Sequence, residues 1–286
     1  MIIIRVSLFF FIFNLLHPND NFRIMKKIIF LLTILFPLLT IGQSTVINKN
    51  TAFKVGEDLK YRVYFQSTIT GKITAGLCYL KVEDSNKFIP GKETIKITGY
   101  GKSKGAINLI IKISEHFESY VDKNTLRPYY FVRRTREGSY IRNDKVIFDY
   151  KKLEARSSYD TTRIKNNFSD LISAIYYTRN YNTDTAKIND IYFINMYIDD
   201  TTYTSAIQYI GKKTIKSKFG TFKCIGFQPR VITGDVFQDP YPGTIWVSDD
   251  KNHLPILAES QLFLGAVKLE LIEAKGIKND QVSRIY

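Results

Sequence analysis

Tyr120-Val121-Asp122-Lys123-Asn124-Thr125-Leu126-Arg127-Pro128 and Trp246-Val247-Ser248-Asp249-Asp250-Lys251-Asn252-His253-Leu254-Pro255 are two versions of one motif. Each brings an apolar run to an aromatic residue and Val, passes through Asp-Lys-Asn, and resumes with Leu and Pro. Asp and Asn side chains bond their own backbone and tolerate tight turns, and Pro fits the first residue of an outgoing strand. Both stretches therefore predict hairpins, and the chain around them predicts an antiparallel sheet.

Upstream, Leu59, Tyr61, Val63 and Phe65 alternate with Lys60, Arg62, Tyr64 and Gln66, the period of a strand with one wet face. Cys78, Leu80 and Val82, then Ile95 and Ile97, continue it, with turns at Thr70-Gly71-Lys72 and at 86–91. Residues 106–113 fit either a buried strand or a helical turn, and periodicity does not separate the two. Strands follow over 129–136, near Tyr140 and over 146–150, with a turn at Glu137-Gly138-Ser139. One helix is predicted over 169–180. Ser169 is read as its N-cap, Asp170 as a first-turn acid, and Leu171, Ile172, Ile175 and Tyr176 as its apolar stripe. Strands resume over 191–197 and 203–210, joined by Asp199-Asp200-Thr201, and a hairpin turns at Gly220. After a loop at Asp239-Pro240-Tyr241-Pro242-Gly243 comes the second motif. Two closing strands follow, the last with Val267, Leu269 and Leu271 on one face. Residues 43–55 read as a tethered or frayed tail, and those after Gly276 as mobile. The expectation is a mainly β fold: a strongly curved antiparallel sheet or half-barrel of meandering hairpins, in two similar halves, with one packed helix.

The N-terminus reads differently. Met25-Lys26-Lys27 precedes an apolar run from Ile28 to Ile41 and then Gly42-Gln43-Ser44, the layout of a secretory signal peptide over 25–42. The run is shorter than the ~20 residues of a membrane-spanning helix. Residues 1–24 hold a second apolar stretch, Ile2 to Leu16, and read as an extension ahead of a true start at Met25; a short membrane anchor is the rival reading. Residues 43–286 are expected to form a single exported domain, periplasmic or secreted.

The chain carries 41 Lys and Arg against 27 Asp and Glu, a formal net charge of +14. An exported chain without a stacking-aromatic motif is a poor nucleic-acid partner. Anionic lipid or acidic glycan suits the charge better, although basic residues also simply solvate an outer sheet face. Its densest patch, Arg133-Arg134-Thr135-Arg136, lies in a strand pattern. The two cysteines, Cys78 and Cys224, sit among apolar residues and read as small buried hydrophobes, with a bridge as the alternative.

No catalytic, cofactor-binding or metal-ligating set is expected. Gly101-Lys102-Ser103-Lys104-Gly105 matches a nucleophile elbow in spacing, but no Asp and His follow in suitable order. Walker and dinucleotide patterns fail at Lys96 and Lys104. His116 shares a strand face with Glu118 and Tyr120, a setting for a surface histidine. Asp199-Asp200 and Asp249-Asp250 read as turn formers rather than an acid pair.

Several motifs together carry a family resemblance. They are 53–61 (FKVGEDLKY), 106–112 (AINLIIK), 136–140 (REGSY), 170–179 (DLISAIYYTR), 218–224 (KFGTFKC) and the Trp246 motif. With these, residues 52–276 resemble the exported bacterial family numbered 3108 among domains of unknown function. The resemblance implies an exported protein of Gram-negative bacteria, here of Bacteroidetes type, and supplies no catalytic residues. The 218–224 and Trp246 hairpins are also similar to those of periplasmic lipoprotein carriers, whose curved sheets hold acyl chains. Asp160-Thr161-Thr162, Asp184-Thr185-Ala186 and Asp200-Thr201-Thr202 resemble the Bacteroidetes O-glycosylation pattern, with Thr161, Thr185 and Thr201 as acceptors.

The function expected is a non-catalytic envelope protein that binds a lipid, lipoprotein or other apolar or anionic ligand on a curved sheet rich in aromatics. An envelope assembly or scaffold protein acting through protein contacts is the alternative, and a serine hydrolase using Ser103 a remote one.

Overall fold

The computed structural model describes residues 49–69, 71–85, 89–230, 241–262 and 265–286. The expected extension and signal peptide (1–42), Thr70, and parts of the turns at 86–91 and 239–243 lie outside the described residues.

The elements in chain order are β1 (Asp58–Ser67), β2 (Gly71–Asp84), β3 (Thr94–Ser103), α1 (Gly105–Ile110), β4 (Ile113–Asp122), β5 (Pro128–Glu137), β6 (Tyr140–Asp149), β7 (Glu154–Arg156) and β8 (Thr161–Arg163). There follow β9 (Phe168–Ser169), α2 (Leu171–Thr178), β10 (Ile191–Ile198), β11 (Thr201–Lys216), β12 (Thr221–Pro229), β13 (Gly243–Ser248), β14 (Pro255–Leu262), β15 (Gly265–Lys275) and β16 (Arg284–Ile285). The strands make one sheet in the order β8-β7-β6-β5-β4-β3-β2-β1-β15-β14-β13-β12-β11-β10-β9, with β16 beside β12. The fold is thus mainly β, as expected. Two meanders meet where β1 pairs β15, placing Val63 opposite Leu269. Every pairing is antiparallel except the short β9–β10 contact. The ambiguous run over 106–113 resolves into α1 followed by the start of β4.

Both motif copies form hairpins, β4–β5 and β13–β14. In the first, the Asp122 carboxylate accepts the backbone N–H groups of Asn124 and Thr125. In the second, Asp250 accepts that of Asn252. The Leu after each turn, Leu126 and Leu254, is fully buried, worth roughly 1.5–3 kcal/mol apiece. That burial offsets the left-handed backbone at Leu126 (φ 59°) and at His253 (φ 41°), a strain of order 1 kcal/mol each.

The sheet curls until its two ends touch through side chains. Arg133 Nη1 lies 2.7 Å from Asp199, Arg142 lies 3.2 Å from Asp199 and 3.0 Å from Asp200, and the Thr162 hydroxyl donates to the Asp200 carbonyl. Phe148 meets Tyr197 edge-on at 5.6 Å. One sequence reading is corrected here. Arg133 is buried rather than solvating an outer face, because Phe131, Arg133 and Thr135 all point inward on β5. Asp199-Asp200 does form the β10–β11 turn, and it also receives these two arginines.

Helix α2 is capped by Asp170, not Ser169. Ser169 is taken into β9, while the Asp170 carboxylate accepts the N–H groups of Ile172 and Ser173 and the Ser173 hydroxyl accepts the Asp170 N–H. The Ser119 hydroxyl, on β4, also donates to Asp170. Burial pushes this carboxyl up to about 6, against hydrogen bonds that favour its ionised form. A carboxyl with a folded pKa above its unfolded value of about 3.9 contributes stability that is complete below that value and lost as pH rises through about 6. The wild-type chain is therefore expected to lose roughly 2–2.5 kcal/mol from this group between pH 4 and pH 7.5, and Asp170→Asn to lose none. Urea unfolding across that window measures the difference; equal slopes for the two proteins would contradict it.

The described part of the first tail, 49–55, is tethered, one of its two expected states, and the chain after Gly276 is held rather than mobile. Ala52 and Phe53 are fully buried, and the Asn180 side chain accepts the N–H groups of Thr51 and Ala52. At the other end, the Asn252 side chain accepts the Asn279 N–H and donates to the Asn279 carbonyl, and β16 pairs β12. Cys78 and Cys224 are free and buried. Burial raises both thiol pKa values, that of Cys224 to about 12.

Candidate functional site

A cavity of about 130 Å³ lies between α2 and the sheet. Its wall takes residues from eight consecutive strands of the sheet order: Leu80 on β2, Tyr61 on β1, Leu269 on β15, Ala258 on β14, Val247 on β13, Phe227 on β12, Ile207 on β11 and Met196 on β10. One cavity can touch eight neighbouring strands only where the sheet wraps around it. Ala174, Ile175 and Thr178 of α2 close the remaining side. The wall is mostly aliphatic and aromatic because each strand turns its alternate residues inward.

The cavity has one polar end. Arg179, the residue after α2, is almost wholly buried and bidentate to the fully buried Glu57, at 2.6 and 2.9 Å. Its Nε donates to the Asn252 carbonyl, and its guanidinium lies over the Phe53 and Tyr176 rings. Burial alone would lower the Arg179 pKa; the Glu57 charge and hydrogen bonds outweigh it and hold it above the ordinary value. Nδ1 of His253 donates to the Arg179 carbonyl at 2.7 Å, leaving Nε2 to accept from Thr183 at 3.4 Å. Burial also holds this imidazole below its usual pKa, in keeping with a neutral ring. Tyr61 lines the same end. Its hydroxyl is buried without a hydrogen-bond partner among the described residues, and burial raises its pKa.

Arg179, Thr183 and His253 also line a second, polar compartment of about 340 Å³, together with Asn182, Asp184 and Lys251. An apolar chamber and a polar one therefore share a wall.

Three of the motif stretches noted in the sequence converge here. Phe53 and Glu57 come from the first, Arg179 from the helix, and Asn252 and His253 from the second hairpin. The β4–β5 and β13–β14 hairpins also hold α2 from opposite ends, through Ser119 at Asp170 and Asn252 at Arg179. Sequence reading missed the Glu57–Arg179 pair, since 122 positions separate its members.

The other candidates lie elsewhere. The Ser103 hydroxyl donates to Asn108 Oδ1 at 2.7 Å and accepts the Ile113 N–H at 3.0 Å, so it anchors the α1 connection. His116 bonds Glu118 at 2.7 Å. Among the described residues no group of three or more His, Cys, Asp or Glu is placed to hold a metal ion, and no helix is long and apolar enough to cross a membrane. Thr161, Thr185 and Thr201 are all exposed.

A single curled antiparallel sheet around a narrow core, closed by one helix, places the chain among β-barrel-like folds. The sequence profile of DUF3108, a protein family of unknown function, matches residues 60–272, and the chain belongs to that family. No curated protein sequence matches it. Among solved structures, the fold is similar to that of a β-barrel-like protein of the domain of unknown function DUF1849 from Brucella abortus, with a TM-score of 0.53 and 9% identity over 80% of this chain and 100% of that one. A protein of YmcC-like fold from Bacteroides fragilis gives a TM-score of 0.35 and 10% identity over 80% of this chain and 99% of the other.

Proposed function

We propose that the protein works without catalysis in the bacterial cell envelope, holding a small amphiphile whose apolar tail enters the chamber beneath α2 and whose polar head lies beyond His253. The observation that carries this reading is the wall of Arg179, Thr183 and His253 shared by an apolar and a polar compartment, with the unpartnered Tyr61 hydroxyl in the apolar one. The apolar chamber is close to the size of an engineered cavity of about 150 Å³ that binds benzene, and below the ~300 Å³ of a typical small-molecule pocket. A short tail or chain end therefore fits as it stands, while a longer chain requires α2 to shift. Export is supported by the signal-like layout of 25–42.

Titration with a fluorescent naphthylamine probe tests the chamber. The wild-type chain is expected to bind the probe and short fatty acids to displace it, whereas Ala258→Phe, which fills the chamber, weakens binding about tenfold or more. Equal binding by the two proteins would overturn the proposal.

A further inference from the structure

In an antiparallel meander, alternate connections fall at the same end of the sheet. The β1–β2, β3–β4 and β5–β6 connections therefore share one rim. Helix α1 sits on that rim, tied down on both sides. The Lys104 N–H donates to the Ala75 carbonyl of β2, and the Gly138 N–H of the β5–β6 turn donates to the Lys112 carbonyl. Ile107 and Ile111 turn toward the core. Leu109 and Ile110 turn away from it, at 89% and 82% exposure, and Ile69 on the neighbouring hairpin is 86% exposed. Ile141 adds a fourth exposed apolar side chain beyond the β5–β6 turn.

The exposed charge around α1 has one sign. Segments 67–75 and 100–114 carry Lys72, Lys102, Lys104 and Lys112, all exposed, and no Asp or Glu. Among the described residues Lys102, Lys104 and Lys112 have no carboxylate partner. Glu137, nearby, is buried. The opposite rim mixes the two signs, with Asp84, Glu93, Asp122 and Asp149 beside Lys92, Lys123, Lys151 and Lys152 in its connections. Exposed aliphatic side chains flanked by lysines, with no Asp or Glu in the same segments, match the boundary between anionic headgroups and acyl chains.

We propose that the α1 side of this rim docks on a membrane surface containing anionic phospholipid. Leu109, Ile110 and Ile69 enter the headgroup–acyl boundary, and the lysines pair with phosphates. The inference stands independently of the chamber.

The test uses the full chain carrying Leu109→Cys, labelled with an environment-sensitive fluorophore. Cys78 and Cys224 are buried, so labelling is selective. Lys123→Cys, on the opposite rim, is the control, and it keeps any membrane affinity of the N-terminal apolar runs common to both proteins. Vesicles of phosphatidylglycerol with phosphatidylethanolamine are expected to blue-shift the label at 109 and not at 123. The shift should diminish with added salt and be absent with phosphatidylcholine alone. Lys102→Gln/Lys104→Gln/Lys112→Gln in the 109-labelled chain should weaken vesicle affinity about a hundredfold. No shift at 109, an equal shift at 123, or undiminished affinity of the triple variant would each overturn the proposal.

Discussion

Arg179→Met is expected to destabilise the chain by about 3–5 kcal/mol, since it leaves Glu57 as a buried charge without its counter-ion. Both carboxylate oxygens of Glu57 are met by guanidinium nitrogens, and Glu57 is fully buried. The Asn252 carbonyl loses its Nε donor in the same variant, and the Phe53 and Tyr176 rings lose the cation above them. Replacing both members of a buried pair by apolar residues of similar volume is often nearly neutral, so Glu57→Leu/Arg179→Met should recover most of the loss. Urea unfolding of the single and double variants measures the coupling. A single variant that loses less than about 1 kcal/mol, the scale of an exposed pair, would show that the pair does not organise this end of the chamber.

Gly276→Ala should cost about as much, for a steric reason. Gly276 has φ +64°, and a Cβ placed there overlaps the Gly56 carbonyl oxygen and crowds the Glu57 nitrogen. The obstruction is backbone, so no rotamer relieves it. Residues 56–57 must move, and Glu57 moves with them. A loss of about 4 kcal/mol is expected, in the range diagnostic of a specific clash. Gly91→Ala is the control. Gly91 has φ +69° with open space where the Cβ would fall, so only the left-handed conformation is penalised, by about 1–2 kcal/mol. Thermal or urea unfolding compares the two; equal losses would refute the close approach.

The sheet was legible because its signals are local. Period-2 burial on β1 follows from Leu59, Tyr61 and Val63, and both hairpins follow from Asp-Lys-Asn beside Leu and Pro. The helix was legible from Leu171, Ile172 and Tyr176, but its cap was placed one residue early. Ser and Asp both cap well, and what decides between them is the pairing of Ser169 in β9, a tertiary fact. The inward position of Arg133 could have been read from its sharing a face with Phe131. The chamber itself could not. Tyr61, Met196 and Ala258 become neighbours only through the curl of the whole sheet, and Glu57 meets Arg179 only because β1 and α2 are brought together. The anchoring of the ends was not legible for a related reason: short polar segments carry no periodicity, so neither the tethered state of the first tail nor the fixing of the last follows from them, and here single Asn side chains, Asn180 and Asn252, hold them.

The chamber reading is tested most directly by native mass spectrometry and solvent extraction of the protein purified from the envelope of a bacterium that exports it, beside Ala258→Phe. An added mass on the wild-type chain is expected, released by solvent as an amphiphile with an acyl-type tail, together with its loss from the variant. A wild-type chain at bare polypeptide mass, or an amphiphile retained equally by Ala258→Phe, would contradict it.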